Sequence, residues 1–422
     1  ICRATGEFLF KRSMSICNTT AGAEYLLKRI RSNCSKFRIP AGNVLLASED
    51  PPEYAYNFLD YLRRGGMHVV RVNAREAKKY RTNTRASSDK LALNGIAQAV
   101  ICRRAYDSQQ PDRIYTVLKS ADRTRRKLVR DETSTRNRIH RCVEILFPGF
   151  LNENNTGLTP FGRASLSLMS RNFSAMRFKR MYRNTLVRRL QSRYVQSPQR
   201  SADKIKELAD CALHPPSAIV SYYTSSLEAK VKLLHAIREA IQQEEHEIAR
   251  CLVQTPAFFL TSIPGVGVIR AAGIAAQLGD TDRWPPADQI ASYAGIVPRQ
   301  EQTGGPDKKA DTTGLPIDCN HTLKDWLLQA AFHTGSTPHP AWKKLQLPGQ
   351  HPLRSHYQRI QASDGYSGVS TAKRLLKTAR AMVRDRRIYL PGNGLEPGAE
   401  HAMSTDQYIE YNSLVDQYYF NS

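Results

Sequence analysis

The sequence predicts an α/β unit followed by an all-α one, and three observations predict it. Strand-like and helix-like runs alternate through residues 1–104. From about residue 105 to 255 the strand signals fade and two long amphipathic helices take over. Lys plus Arg number 62 against 38 Asp plus Glu, a net +24, and residues 101–200 alone hold 22 basic against 7 acidic side chains. Alternation argues for a sheet flanked by helices, its fading for a helical arm, and the charge for an anionic partner, nucleic acid first. A chain of 422 residues is too long for one core, so two or three units are expected. With 41% hydrophobic and 24% charged residues, a collagen-like, wholly disordered or membrane-embedded chain is excluded.

In the first region, a Thr5-Gly6 turn precedes a strand-like run, Phe8 to Ile16. Ala21 to Ile30 has helical apolar spacing, and Asn43 to Ala47 is a short apolar strand. Glu53 to Arg64 reads as a helix closed by Gly65-Gly66, His68 to Val72 as a strand and Ser88 to Arg103 as a helix. The opening turn suggests entry midway through an antiparallel hairpin, with a strand upstream. The chain begins at Ile1 and shows no signal-peptide pattern, so a truncated reading frame is the expectation.

Residues 105–255 are expected to form a basic helical, coiled-coil-like linker. Asp112 to Leu146 is charged with apolar residues at mostly helical spacing, stopped by Pro148-Gly149. A second long helix opens at the capping-box pair Ser225 and Glu228 and runs a near-heptad seam from Leu227 to Leu252. Between them, Arg171 to Arg200 holds nine basic residues and no acid, interleaved with Phe173, Phe178, Tyr182 and Tyr194. Arg177, Lys179, Arg180, Arg188 and Arg189 are candidates for phosphate contact, with aromatics for base stacking. A solvated basic helix face is the competing reading.

Residues 256–394 form the third expected region, and 395–422 a tail without a readable role. LTSIPGVGVIRAA, Leu260 to Ala272, has a helix-hairpin-helix pattern. Gly265 and Gly267 would let the backbone approach a phosphate, beside Arg270 and a helix N-terminus; an ordinary αα turn is the alternative. Ala271, Ala272, Ala275 and Ala276 give the next helix a small-residue face. In SYAGIVPRQEQTGG, Pro298, Gly304 and Gly305 place Arg299 and Thr303 on an irregular loop. A hydroxyl there would attack a phosphodiester, steadied by Arg299, or simply cap backbone.

Glu49 follows the apolar run VLLAS and Asp89 starts a helix beyond the strand His68 to Val72. Carboxylates at such ends are hard-oxygen ligands for magnesium in phosphoryl chemistry, or ordinary strand-end and helix-start acids. Eight cysteines without a CxxC pair indicate neither a zinc knuckle nor a disulfide scaffold and imply a reducing, cytoplasmic setting. The most apolar stretch, Phe258 to Leu278, is broken by Pro264, Gly265, Gly267 and Arg270, so no membrane partner is expected.

Together these segments resemble the IS-one-ten family of insertion-sequence transposases, which includes Piv-type DNA invertases. VLLASEDPPEYAY is similar to the family's strand with Glu-Ala-Thr-Gly-x-Tyr, placing Glu49 and Tyr54 in register; GGMHVVRVNAREAKKYR and SSDKLALNGIA resemble its next two segments. RKLVRDETSTRNRIHRCVEILFPGF resembles the helix leaving the first domain. LTSIPGVGVIRAAGIAAQLGDTDRW, QIASYAGIVPRQEQTGG and AKRLLKTARAMVRDRRIY resemble the C-terminal transposase domain.

The resemblance implies a RuvC-like, ribonuclease-H-type domain with an Asp-Glu-Asp-Asp metal site for Mg2+, a coiled-coil linker and a C-terminal domain with a serine nucleophile. DNA would be recombined, in several members under a guide RNA, with a second copy of the chain helping to assemble the site. Carried over by position, Glu49 is the second acid, Asp89 the third and Thr303 the nucleophile. The sequence departs at two of these places: the fourth acid falls on Ala92, and threonine stands for serine. The first Asp would precede Ile1. A truncated or degenerate transposase is therefore expected, with an inactive nucleic-acid-binding relic as the alternative.

Overall fold

The computed structural model describes residues 14–49, 55–81, 89–107, 113–263, 265–297, 299–301, 311–336, 352–363 and 365–386, with Thr5 and Tyr389. They fall into two compact units, Ile1–Pro111 and Asp112–Ser422.

In the first unit, Thr19 accepts the Gly22 N–H and opens α1, Thr20–Phe37, which ends on Arg38 in the left-handed region. Strand β1, Leu45–Glu49, leads to α2, Tyr56–Arg64, and then to β2, His68–Val72, parallel to β1 with Glu49 opposite Val72. This strand-helix-strand unit is what the alternation predicts. Helix α3, Ala74–Lys79, and α4, Asp89–Ile101, precede β3, Ala105–Asp107, which pairs antiparallel with β2. Strand structure thus continues past residue 104 into a segment the sequence reads as helical. β2 is the middle strand and is buried on both sides. Val69 faces Ala23, Leu27, Leu59 and Leu62 on α1 and α2; Val72 faces Ala77, Ile96 and Ala99 on α3 and α4. The run Phe8 to Ile16 lies mostly outside the described residues, and its end, Met14 to Ile16, forms no strand.

The second unit is built on two long helices, α5, Arg113–Leu146, and α11, Ser217–Leu252. The Arg125 Nε donates to Glu245 at 2.7 Å and the Arg238 Nε to Glu132 at 2.9 Å. Seven residues forward on α5 therefore match seven back on α11, so the pair is antiparallel. α11 starts eight residues before the expected capping box. Ser225 is already inside the helix, its hydroxyl donating to the Ser221 carbonyl, and Glu228 accepts the Asn172 N–H at 2.7 Å instead of capping α11.

The far end of this pair carries a helical head of five short helices: α6, Glu153–Thr156; α7, Arg163–Met169; α8, Ala175–Arg180; α9, Arg183–Gln191; and α10, Pro198–Cys211. Its core joins Ile139, Val143 and Leu146 of α5 to Leu227, Val231 and Leu234 of α11 around Phe147, Phe150, Phe173 and Phe178. The four rings sit 4.9 to 6.1 Å apart between centroids.

The other end belongs to a second core. Tyr115, Leu118 and Ala121 of α5 and Ile248 and Leu252 of α11 pack on a 3-10 turn, Pro256–Ser262, and on α12, Val268–Leu278. Helix α13, Ala287–Tyr293, and a two-stranded hairpin of β4, Arg299–Glu301, and β5, Asp311–Thr313, follow. Helix α14, His321–Ser336, and helices Pro352–Ala362 and Ser367–Asp385 complete this part. The alanine face of α12 is buried as expected, and Gly273 completes it: a Cβ there would lie 2.3 Å from the Trp326 indole nitrogen.

Candidate functional site

The two candidate carboxylates lie in the first unit, one on its sheet and one on a helix. Glu49 is the last residue of β1, and Asp89 is the first residue of α4, the helix that packs on that sheet through Ile96 and Ala99. Ala92 lies one turn on, half-buried. Both acids sit at element ends.

The candidate phosphate contacts separate into two kinds. The Arg177 guanidinium is half-buried and turned onto the chain itself, where Nη1 donates to the carbonyls of Arg171 and Asn172. Burial, and then the Arg189 charge, lower its proton affinity, while Glu228 opposes them. Lys179 is exposed with its Nζ 3.8 Å from Asp210. Arg180, Arg188 and Arg189 are exposed, and among the described residues none of the three makes an ion pair. Phe173 and Phe178 are not available for base stacking. Both are fully buried, packed with Phe147 and Phe150 in the core of the head. Tyr182 and Tyr194 are 83% and 90% exposed.

Around the turn before α12, Gly265 has φ +85°, and a Cβ there would meet the Thr334 backbone nitrogen at 2.5 Å. Its missing side chain is used by the close approach of α14's last turn. Gly267 is the N-cap of α12, without a side chain to bond the first N–H groups. Arg270 folds back, its Nη1 donating to the Gly265 carbonyl at 3.4 Å. The segment before the turn is a 3-10 helix begun by Pro256, where the sequence suggested the end of an α-helix. Arg299 is the first residue of β4, its backbone paired with Thr313, so it does not lie on an irregular loop. Thr303 lies outside the described residues.

One cluster was not read from the sequence. His356 and Ser370, on successive helices, meet at 2.9 Å between Nε2 and Oγ. Arg359 and Arg374 lie 3.2 and 3.5 Å from Nδ1. Guanidinium groups only donate, so Nδ1 accepts, the neutral ring carries its proton on Nε2, and Ser370 receives a hydrogen bond. Ser370 is thus not activated as a nucleophile by His356. No pattern marks this cluster, because residues 14 and 18 positions apart converge only when the two helices fold together.

Comparison with known proteins matches two parts of the chain. Residues 1–148 fit a DEDD-type transposase model of the IS110 group, and residues 257–346 fit the model described as Transposase IS116/IS110/IS902 family. The chain belongs to the IS110 transposase family. The "Insertion element IS110 uncharacterized 43.6 kDa protein" of Streptomyces coelicolor is 24% identical over 374 residues, 86% of this chain and 87% of the relative. The "Insertion element IS116 uncharacterized 44.8 kDa protein" of Streptomyces clavuligerus is 25% identical over 216 residues, half of each chain. The "Pilin gene-inverting protein" of Moraxella bovis is 25% identical over 156 residues, 36% of this chain and 45% of that one.

DEDD-type transposase domains generally use divalent metal ions. Glu49 and Asp89, the two positions that the resemblance carries over, are carboxylates, the donor type that hard divalent ions take, commonly as one or two carboxylates plus substrate phosphates. Among the described residues no group of three or more His, Cys, Asp or Glu makes a self-contained metal cage. Among them too, no helix is long and apolar enough to cross a membrane, and seven cysteines are free.

Proposed function

We propose that this chain is an insertion-sequence recombinase that cuts and rejoins DNA strands. The observation that carries the reading is the match of two transposase models, in order, to one chain whose intervening segment is strongly basic. In this reading residues 1–104 are the RuvC-like domain, 105–255 the basic coiled-coil linker, 256–394 the C-terminal domain with its helix-hairpin-helix turn, and 395–422 a tail. Glu49 and Asp89 would hold Mg2+ together with phosphate oxygens, and the ion would neutralise charge on the phosphoryl group under attack. The Thr303 hydroxyl would be the nucleophile and Arg299 would steady the phosphorane. Threonine's extra methyl crowds the approach to phosphorus and slows that step. Gly267 and Arg270, with Lys179, Arg180, Arg188 and Arg189, would hold the nucleic-acid backbone, while Gly265 and Arg177 shape the turn and the head that present them. Guidance by RNA and assembly of a second copy belong to the same reading.

The test is strand exchange by the purified chain on a plasmid carrying the element's ends, with Mg2+ or EDTA. Metal-dependent recombinant junctions that disappear in Thr303→Ala support the reading. Ala92 at the fourth acid position favours a second one, a nucleic-acid binder without catalysis, and salt-sensitive binding with no covalent product would establish it.

A further inference from the structure

A cavity of about 590 Å3 opens in the helical head between the segment after α6, the start of α7, the end of α9 and the first turn of α10. Four cations line it, Arg163, Arg193, Arg200 and Lys204, against a single acid, Glu153. None of them was among the candidate contacts, because the cavity joins stretches about forty residues apart.

We propose that this cavity binds one unpaired nucleotide of a single-stranded nucleic acid, phosphate on the cations and base on Tyr194. The inference rests on the nucleic-acid reading above and adds to it a separate site and a substrate class.

Two of the cations are already held by the fold. The Arg193 Nε donates to the Ser167 hydroxyl at 3.2 Å, leaving the rest of its fork open, and the Lys204 Nζ donates to the Asn154 carbonyl at 2.8 Å. Arg163 and Arg200 make no ion pair among the described residues. Ser197 and Arg200 place the first turn of the 14-residue α10 in the wall, and Ser197 makes no side-chain cap. Open N–H groups there add positive potential for an anion.

Tyr194 supplies the second, independent observation. It sits where α9 reverses, with φ +58°, its N–H donating to the Gln191 carbonyl at 3.0 Å while the Val195 N–H donates to that of Leu190 at 3.3 Å. That left-handed position is usually glycine, and a side chain there is strained. The ring gains little packing in return, since it is 90% exposed at the rim of the cavity. A strained residue presenting an aromatic face beside a basic hollow has the parts of a stacking platform. The size argues for a single strand: the hollow is of small-ligand dimensions, and a duplex keeps its bases stacked inside, away from such a ring.

The test uses the full chain, with fluorescence anisotropy on oligo(dT), oligo(rU) and a duplex. Tyr194→Gly removes the ring and relieves the left-handed strain, so thermal stability should hold or rise. Single-strand affinity should fall on the order of tenfold and duplex affinity should not change. Tyr194→Trp should restore single-strand binding. A preference for oligo(dT) or oligo(rU) identifies the strand as DNA or RNA, and either supports the site. Unchanged single-strand binding in Tyr194→Gly, or equal loss on duplex and single strand, overturns it. If the wild-type chain binds duplex and no single strand, this site alone falls; if it binds neither, the functional reading above falls too.

Discussion

Gly265 presses its Cα against the backbone of Thr334, leaving 2.5 Å between a would-be Cβ and the Thr334 nitrogen. Gly265→Ala combines that overlap with a left-handed φ, and should destabilise the second unit by about 2 kcal/mol or more. Urea unfolding without nucleic acid is the measurement. A stability loss of that size would mean that weakened DNA binding in this variant reports folding, and a neutral result would return Gly265 to the list of direct contacts.

The half-buried Arg177 and the exposed Arg188 and Arg189 should behave oppositely. Arg177→Ala strips two carbonyls of a donor and should cost the head about 1 kcal/mol or more. The Arg188→Ala/Arg189→Ala double variant should keep its melting temperature while the slope of log affinity against log salt falls by about 2. Parallel melting curves and salt titrations separate the two roles.

Asp122 is 2% exposed on α5, and its Oδ1 has no hydrogen-bond partner. Burial raises its pKa above 3.8, with Arg126 the foremost opposing charge. The folded state then holds this proton more tightly than the unfolded chain, so stability falls as pH rises above 3.8 through the folded value. Asp122→Asn should remove that fall and gain about 1 kcal/mol at neutral pH, read by denaturant unfolding across the pH range.

His356 has the opposite sign. Burial, then Arg374 and Arg359, lower its pKa below 6.5. The unfolded chain takes up the proton first, so this contribution is present above 6.5 and is lost as pH falls through the folded value. His356→Gln should flatten the acid limb of the stability profile, and an NMR titration of the ring would give the direction directly.

What was legible beforehand follows from periodicity. His68 to Val72 shows as a strand because three β-branched valines fall in five residues just after the Gly65-Gly66 turn, and Asp112 to Leu146 shows as a helix because thirty-odd residues keep one stripe. The head was opaque: its helices run from 4 to 14 residues, too short to establish a period, and its phenylalanines resemble stacking groups until the core that swallows them is visible. Ser225 and Glu228 imitate a helix start because a capping box and two polar residues on an exposed helix face have the same spelling. In the candidate site, Glu49 and Asp89 have recognisable positions at element ends, whereas Thr303 is picked out by the family resemblance and by nothing in its own periodicity.

The antiparallel pairing of α5 and α11 has a topological corollary. The chain leaves the lower core along α5 and comes back to it along α11, so everything from Ile139 to Leu234 is a detour whose two ends stand side by side. Such a detour can be lengthened, trimmed or exchanged without rethreading the lower core, in the way a surface loop tolerates insertion. Helices α12, α13 and α14 are bound to the ends of α5 and α11 by packing, whereas the basic head rides as a module on a two-helix stalk.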